Sequence, residues 1–227
     1  MLKAVFFDLD DTILDYDLCA VDTVRSACGA LGVPYSEEVQ LEYRRVDDAL
    51  WARQKLGELT IPQVLEIRDG HMMEYLGLSD GMSFQEAFIA AFAESAALVE
   101  GAEAALRAVT ERGIPVYSAS NGYLAVQTNR LQKAGVLRYF DRLFVSETIG
   151  HEKPDRRFFE HCLRETGLAA HEVLMVGDSV TADIQGALNA GWRVCFLNRH
   201  GKSCDLNCME ITSFADFDSI LEGEMRK

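Results

Sequence analysis

The sequence predicts an α/β fold in which helices cover both faces of a parallel β-sheet. From about residue 99 onward, short apolar runs alternate with amphipathic segments of helical period, and this alternation is typical of a parallel sheet wrapped by helices. A further apolar run at residues 3–7 is separated from that series by residues 17–97, which have helical periodicity and little strand character. We therefore expect an α-helical module to be inserted after the first strand.

The elements of the sheet region follow one another in a regular order. The first strand is expected at residues 3–7. After the insertion we expect a helix at 102–112, a strand at 114–118, a helix at 124–134, a strand at 143–145, a helix at 156–166, a strand at 173–176, a helix at 182–190 and a strand at 193–197. Gly135, Gly167 and Gly191 each follow one of these helices, and a glycine just past the last helical residue is a common helix C-cap.

The inserted segment carries apolar residues at helical spacing. One series comprises Val39, Tyr43, Val46 and Leu50, and a second comprises Val64, Ile67, His71 and Tyr75. Such spacing predicts helices that bury these faces. We expect two domains: a core formed by residues 1–16 and 98–227, and a helical domain of residues 17–97.

Composition narrows the class of protein. The 227 residues carry a formal net charge of −14, which disfavours binding to a nucleic-acid polymer because that needs a basic face. No apolar run approaches the roughly 18 residues that a membrane span needs, and Asp8 interrupts the N-terminal apolar run that a signal peptide would require. We therefore expect a cytoplasmic protein that binds neither nucleic-acid polymers nor membranes.

The six cysteines show no disulfide framework. Cys204 and Cys208 are four residues apart, but no second pair of zinc ligands lies near them in the sequence. We expect reduced thiols that serve mainly in packing.

Polar and ionisable residues follow the ends of four expected strands. They are Asp8, Asp10 and Thr12 after the first, Ser120 and Asn121 after the second, Lys153 after the third, and Asp178 and Asp183 after the fourth. In a sheet of this kind, ligands bind beyond the carboxyl ends of the strands. Because alternate residues of a strand share a side, Asp8 and Asp10 are expected to face the same ligand.

This set of residues predicts phosphoryl transfer. Clustered carboxylates favour a hard divalent cation with oxygen ligands, and Mg²⁺ is the natural choice. Ser120 and the backbone N–H groups of Asn121 and Gly122, which are expected to open a helix, form an anion site. Lys153 adds a positive point charge. In phosphoryl transfer, catalysis is mainly positioning and charge neutralisation.

Two further aspartates complete the acidic N-terminal stretch. Asp11 and Asp15 are of a residue type that is common in turns. We expect them to be solvated turn residues and not to take part in the reaction.

The motifs resemble those of a known family. Asp8-Leu9-Asp10-Asp11-Thr12, Ser120-Asn121-Gly122, Lys153-Pro154 and Gly177-Asp178-Ser179 with Asp183 resemble the four motifs of the haloacid dehalogenase superfamily. The resemblance implies a Rossmann-like catalytic core with an inserted helical cap, in which Asp8 is a nucleophile that forms an aspartyl-phosphate and Asp10 is the general acid and base. It further implies Mg²⁺ held by the Asp8 carboxylate, the Asp10 backbone carbonyl and Asp178. Asp183 and Thr12 would act behind these ligands, and Ser120, Asn121 and Lys153 would bind phosphate.

The expected substrate is a small phosphorylated metabolite. A departing halide needs no proton, so Asp10 argues for a phosphate ester with an alkoxide leaving group. Segments such as Asn121-Gly122 with Gln127 and Arg130-Leu131 resemble the bacterial 5′-nucleotidases that act on noncanonical pyrimidine nucleotides. We expect a Mg²⁺-dependent phosphomonoester hydrolase, a 5′-nucleotidase on nucleoside monophosphates, that is a monomer or homodimer. The alternatives are another phosphatase or a phosphomutase on a small sugar or organic phosphate, a 2-haloacid dehalogenase, and a catalytically silent relative that binds phospho-ligands.

Overall fold

A computed structural model describes residues 1–226, and its backbone contacts divide the chain into two compact units. The first unit combines Met1–Asp15 with the chain from Ala97 onward, and the second is Tyr16–Ala96. The roles of catalytic core for the first unit and of cap for the second stay predictions.

The first unit is built on a sheet whose neighbouring strands are all parallel among the described residues. The strands are β1 (Ala4–Phe7), β2 (Val116–Ser120), β3 (Arg142–Val145), β4 (Val173–Gly177), β5 (Arg193–Leu197) and β6 (Met209–Ile211). Their spatial order is β3-β2-β1-β4-β5-β6, so β1 lies between β2 and β4. The predicted parallel α/β architecture is confirmed.

Helices occupy both units. In chain order, the α-helices of the described residues are α1 (Tyr16–Ala30), α2 (Glu37–Lys55), α3 (Ile61–Tyr75), α4 (Phe84–Ala93), α5 (Ala102–Glu111), α6 (Leu124–Lys133), α7 (Ser146–Ile149), α8 (Arg156–Thr166), α9 (Gly186–Asn189) and α10 (Phe217–Met225). The first four belong to the second unit, and the remainder belong to the first.

Apolar side chains pack on both faces of the sheet. Successive residues of β1 point to opposite faces, so Phe6 packs against Trp192 on one side, with ring centroids 4.6 Å apart. Phe7 packs against Phe217 of α10 on the other side, with centroids 5.6 Å apart. Because both faces are covered, all four residues of β1 are buried, as is usual for parallel sheets.

Several elements differ from the expectation. The second strand begins two residues later than expected and ends at Ser120. The helix expected at 182–190 is a π-helical turn, Val180–Gln185, followed by α9. The sequence-based prediction lacks α7, β6 and α10; α7 and β6 span only four and three residues.

In the second unit, the residues that α3 buries differ from the expected ones. Of the series that includes Val64, only Val64 is buried, whereas Ile67 and Tyr75 are exposed. The buried residues of this helix are Ile61, Val64, Arg68 and Met72. An arginine therefore occupies an inward position that a purely apolar pattern assigns to a hydrophobic side chain.

A buried polar network joins the four helices of the second unit. Arg68 of α3 donates to Asp47 of α2 at 2.6 Å, and both side chains are only 3% exposed. The Tyr16 hydroxyl of α1 donates to the same carboxylate at 2.7 Å, and Arg68 also donates to Gln85 of α4 at 2.7 Å. Since every helix contributes one member, the network couples the packing of all four.

No helix among residues 1–226 has the length and apolar character needed to cross a membrane.

The buried ion pair yields a stability prediction. Asp47→Ala leaves Arg68 without its carboxylate, and we expect a loss of about 3–5 kcal/mol in the free energy of unfolding. The matched control is Asp22→Ala, because Asp22 pairs with Arg25 on the surface and its side chain is 77% exposed; we expect a change within about 0.5 kcal/mol. Chemical denaturation followed by circular dichroism measures both. Equal losses in the two variants would contradict this account of the network.

Candidate active site

The carboxyl ends of the parallel strands bring the expected residues to one edge of the sheet. Asp8 follows β1, and its backbone N–H donates to the carbonyl of Val176 at 2.9 Å, which continues the pairing with β4. Ser120 is the last residue of β2, and Asp178 follows the last residue of β4. The register of the sheet therefore places these side chains at the same level.

Lys153 lies between two carboxylates of this edge. Its Nζ donates to Oδ1 of Asp8 at 2.7 Å and to Oδ1 of Asp183 at 2.6 Å, and its side chain is 2% exposed. Burial alone would lower the pKa of this ammonium, but the carboxylates of Asp183 and Asp8 raise that pKa above its ordinary value. Lys153 is therefore a fixed positive charge.

Asn121 holds the backbone of Lys153. The Asn121 Nδ2 donates to the Lys153 carbonyl at 2.9 Å, and the Lys153 N–H donates to Oδ1 of Asn121 at 2.8 Å. The Lys153–Pro154 peptide bond is cis. Because both polar atoms of the Asn121 side chain contact this loop, only its backbone N–H is left as the phosphate donor we expected.

Three buried carboxylates form a cluster. Ligand oxygens of Asp8, Asp178 and Asp183 all lie within 4.8 Å of one another. Burial raises the pKa of the Asp8 carboxyl well above its ordinary value, and Asp183 and Asp178 raise it further. Lys153 opposes that rise. The remaining oxygen of Asp183, Oδ2, accepts from the backbone N–H of Ser179 at 2.9 Å.

The cluster also contacts a lysine that sequence reasoning missed. Lys202 Nζ donates to Oδ2 of Asp178 at 2.7 Å and to its backbone carbonyl at 3.1 Å. Lys202 lies in the loop after β5, whereas the residues predicted for the site follow the first four strands. The rule that ligands bind beyond strand ends would have identified this loop.

The donor set fits a hard divalent cation. The three carboxyl groups of the cluster contact two ammonium groups, those of Lys153 and Lys202, so the acidic groups outnumber the cations in a buried setting. Burying an uncompensated charge is costly, and oxygen ligands of this kind suit Mg²⁺. Carboxylates from two separate strand ends are therefore suitable ligands for such an ion.

Asp10 is held by a different set of partners. The chain has left the strand by this point, since β1 ends at Phe7 and Asp11 has a positive φ of 60°. The Asp10 carboxylate accepts from Arg130 Nη1 at 2.5 Å and from Gln127 Nε2 at 2.7 Å. Each reacting carboxylate that we expected thus has its own cationic neighbour.

The remaining expected residues differ in their surroundings. Ser120 Oγ accepts from Gln127 Nε2 at 3.1 Å. The N–H of Gly122 donates to Ser146 Oγ at 3.1 Å. Helix α6 begins at Leu124, where the helix was expected to begin, so Asn121 and Gly122 precede the helix and do not form its first turn. Among the described residues, the buried hydroxyl of Thr12 has no hydrogen-bond partner.

Asp15 is not the solvated turn residue that we expected. It is buried, and its Oδ2 accepts from Arg199 Nη2 at 2.5 Å. Arg199 Nη1 also donates to the backbone carbonyl of Asp11 at 3.3 Å. The loop after β5 therefore supports the loop after β1 as well as contacting Asp178.

Comparisons with known proteins identify chains similar to this one. The family model for haloacid dehalogenase-like hydrolases matches residues 2–191. The chain is 32% identical over 200 residues to the pyrimidine 5′-nucleotidase PynA of Streptococcus pneumoniae. The aligned residues cover 87% of this chain and 84% of that protein. It is 33% identical over 197 residues to the pyrimidine 5′-nucleotidase YjjG of Escherichia coli, which covers 86% of each chain.

A solved structure shows the same fold. The crystal structure of the HAD-hydrolase YfnB of Bacillus subtilis, bound to magnesium, superposes on this chain with a TM-score of 0.87 and 26% sequence identity. The match covers 97% of this chain and 99% of that one. The predicted family resemblance is confirmed.

A substitution at Gly177 tests how closely Asp183 of the carboxylate cluster is packed. A Cβ at this position would lie 2.7 Å from the Cβ of Asp183, so Gly177→Ala should displace the Asp183 carboxylate and cost about 1–3 kcal/mol of stability. The matched control is Gly223→Ala in α10, where a Cβ would have no neighbour within 4 Å; there we expect a neutral to stabilising effect of up to about 1 kcal/mol. Thermal unfolding compares the two variants. Unchanged stability of Gly177→Ala would contradict the close packing.

Proposed function

The chain belongs to the haloacid dehalogenase-like hydrolase family, and from that premise we propose that it is a Mg²⁺-dependent phosphomonoester hydrolase acting on nucleoside 5′-monophosphates. The observation that carries the proposal is the buried contact of Lys153 with Asp8 and Asp183, set beside Asp178. Cationic and carboxylate groups in this arrangement suit a reaction at a phosphate, whose negative oxygens need positive partners.

Asp8 is the proposed nucleophile. Its carboxylate oxygen attacks phosphorus, an O–P bond forms, and the bond from phosphorus to the alcohol oxygen breaks. This covalent step divides hydrolysis into two easier displacements. A water molecule then attacks the aspartyl-phosphate, which releases inorganic phosphate and restores the Asp8 carboxylate.

Asp10 is the proposed general acid and base. It gives a proton to the departing alcohol oxygen in the first displacement and takes a proton from the attacking water in the second. The side chain of Asp10 is 30% exposed, so part of it remains accessible to a substrate. A halide would need no such proton, which favours a phosphate ester over a 2-haloacid.

The phosphate oxygens have several proposed partners. The Ser120 hydroxyl, the backbone N–H of Asn121 and the Lys153 ammonium bind them. Asp183 holds Lys153 in place, and Thr12 lies behind these groups in the loop after β1. These groups orient the phosphorus atom toward Asp8, which is the main source of catalysis in such sites.

The Mg²⁺ ligands we propose are the carboxylates of Asp8 and Asp178 and the backbone carbonyl of Asp10. Asp183 acts behind them, because its two oxygens already accept from Lys153 and Ser179. When bound, the ion supplies positive charge that offsets the repulsion between phosphate and carboxylates. The magnesium in the solved structure of YfnB supports this choice.

A pyrimidine nucleotide is the proposed substrate class. Two relatives that cover more than four-fifths of this chain are pyrimidine 5′-nucleotidases, at 32% and 33% identity. Their leaving group is a primary alkoxide, which matches the need for a general acid at Asp10.

Phosphate release measures the proposed activity. The purified protein should release phosphate from uridine 5′-monophosphate or thymidine 5′-monophosphate with Mg²⁺, and EDTA should abolish the release. Asp8→Asn removes the nucleophile and should lower kcat/KM by roughly a thousandfold or more. Asp205→Asn is the matched control because Asp205 is exposed, and it should retain full activity.

Other outcomes of this experiment would contradict the mechanism, the substrate class or the reaction. Full activity of Asp8→Asn would exclude the covalent mechanism. Phosphate release from sugar phosphates alone would replace the nucleotide substrate class. Halide release from 2-haloacids without phosphatase activity would replace the proposed reaction, and binding of phosphate esters without turnover would identify a silent relative.

Metal binding is measured without turnover. At about 100 times its Kd, Mg²⁺ should stabilise the folded protein by about 2.7 kcal/mol, which corresponds to a rise of about 5–10 °C in Tm. Asp178→Asn should lose most of this rise, measured from its own metal-free Tm, whereas Asp205→Asn should keep it. An undiminished rise in Asp178→Asn would exclude the carboxylate cluster as the metal site.

A further inference from the structure

Gln127 and Arg130 form a buried clamp on the Asp10 carboxylate. Both residues lie on α6, three positions apart, so they share one face of the helix. Arg130 donates to Oδ1 of Asp10 at 2.5 Å, and Gln127 Nε2 donates to Oδ2 at 2.7 Å. Arg130 Nη1 also donates to Oε1 of Gln127 at 3.1 Å. The two donors thus fix each other as well as both oxygens of the carboxylate.

Burial separates the clamp from any substrate. The Arg130 side chain is 0% exposed while that of Asp10 is 30% exposed, and Gln127 is also buried. Arg130 and Gln127 therefore act through Asp10. An ionised carboxylate has about four lone-pair sites, so two donors leave capacity on Asp10 for a proton exchanged with a substrate.

The clamp also connects Asp10 to the proposed phosphate site. Gln127 Nε2 donates to Ser120 Oγ at 3.1 Å in addition to Asp10. One amide nitrogen therefore sets the position of the proposed acid relative to a proposed phosphate ligand. Proton transfer needs this relation to be accurate, because a misplacement of about 1 Å costs about a hundredfold in rate.

We propose that Gln127 and Arg130 are positioning residues for proton transfer by Asp10 to the leaving group. The inference rests on the proposed phosphomonoester hydrolase function. In the step concerned, the bond from Asp8 to phosphorus forms, the bond from phosphorus to the alcohol oxygen breaks, and that oxygen takes the Asp10 proton. Asp10 is left as a carboxylate, which the guanidinium of Arg130 stabilises.

Leaving-group dependence tests the proposal. Uridine 5′-monophosphate releases an alkoxide that needs a proton, whereas p-nitrophenyl phosphate releases a phenolate that is stable without one. The measured quantity is kcat/KM, which reports the steps up to departure of the alcohol or phenol. The ratio of the two values, taken on one preparation, is independent of the fraction of protein that folds.

The clamp variants are Arg130→Met and Gln127→Leu. In each variant, we expect the ratio of kcat/KM for uridine 5′-monophosphate to kcat/KM for p-nitrophenyl phosphate to fall by about tenfold or more. A loss of this size is within the range of general acid catalysis. Gln127→Leu removes no charge, so it serves where loss of the buried Arg130 prevents folding. In an Asp10→Asn background, neither variant should lower the ratio further, because the two changes act on the same step.

Matched controls come from the same unit. Gln132→Leu alters an exposed glutamine of α6. Arg193→Met removes an arginine that pairs with Glu224 at 3.1 Å and lies at the start of β5, the opposite end of the strand from the site. Both should leave the ratio within about twofold of the wild-type value, whatever their effect on stability.

The outcomes separate this inference from the function on which it rests. Equal losses on both esters in the clamp variants would mean a structural role only and would overturn the inference. A higher ratio would also overturn it, since the clamp would then restrain Asp10 away from the substrate. If the wild-type protein hydrolyses neither ester, the proposed function fails and the inference falls with it.

Discussion

The contact of Lys153 with Asp8 and Asp183 is the interaction on which the rest of the site depends. Two buried carboxylates share one ammonium group at 2.7 Å and 2.6 Å, and a third, Asp178, lies in the same cluster. A buried carboxylate without a partner is costly, so the aspartates after β1 and β4 require this lysine. The stability of the cluster and its chemistry therefore have the same physical origin.

That requirement explains much of the local structure. Lys153 lies in a loop and not in a strand, and the side chain of Asn121 holds its backbone through two reciprocal hydrogen bonds. Asp183 is fixed by the backbone N–H of Ser179 and packs so closely on Gly177 that no Cβ fits there. The loops beyond β2 and β4 are thus specified by the need to keep one ammonium between two carboxylates.

The sequence was sufficient for the parallel sheet and for the carboxylates at its edge, because apolar alternation and strand-end position follow from backbone geometry. It was insufficient where the position of a side chain depends on a partner that is distant in the sequence. Arg68 takes an inward position in α3 because Asp47 pairs with it, and no local pattern reports that partner. Gln127 is predicted only through the family resemblance, since a polar residue in a helix is usually solvent-facing. Lys202 contacts Asp178 from the loop after β5, and a single lysine in a loop is not by itself a sign of that contact.

Two aspartates only two positions apart have separate electrostatic environments. Asp8 contacts the Lys153 ammonium within a group of carboxylates, whereas Asp10 contacts a guanidinium and an amide on α6. Carboxylates in different environments can serve different roles in one site. The separation begins where β1 ends at Phe7 and the chain turns through Asp11 with positive φ. If the strand continued, both side chains would share one side of it and compete for the same cations. The end of β1 at Phe7 is therefore the backbone feature that gives the two aspartates separate partners, as their proposed roles of nucleophile and acid require.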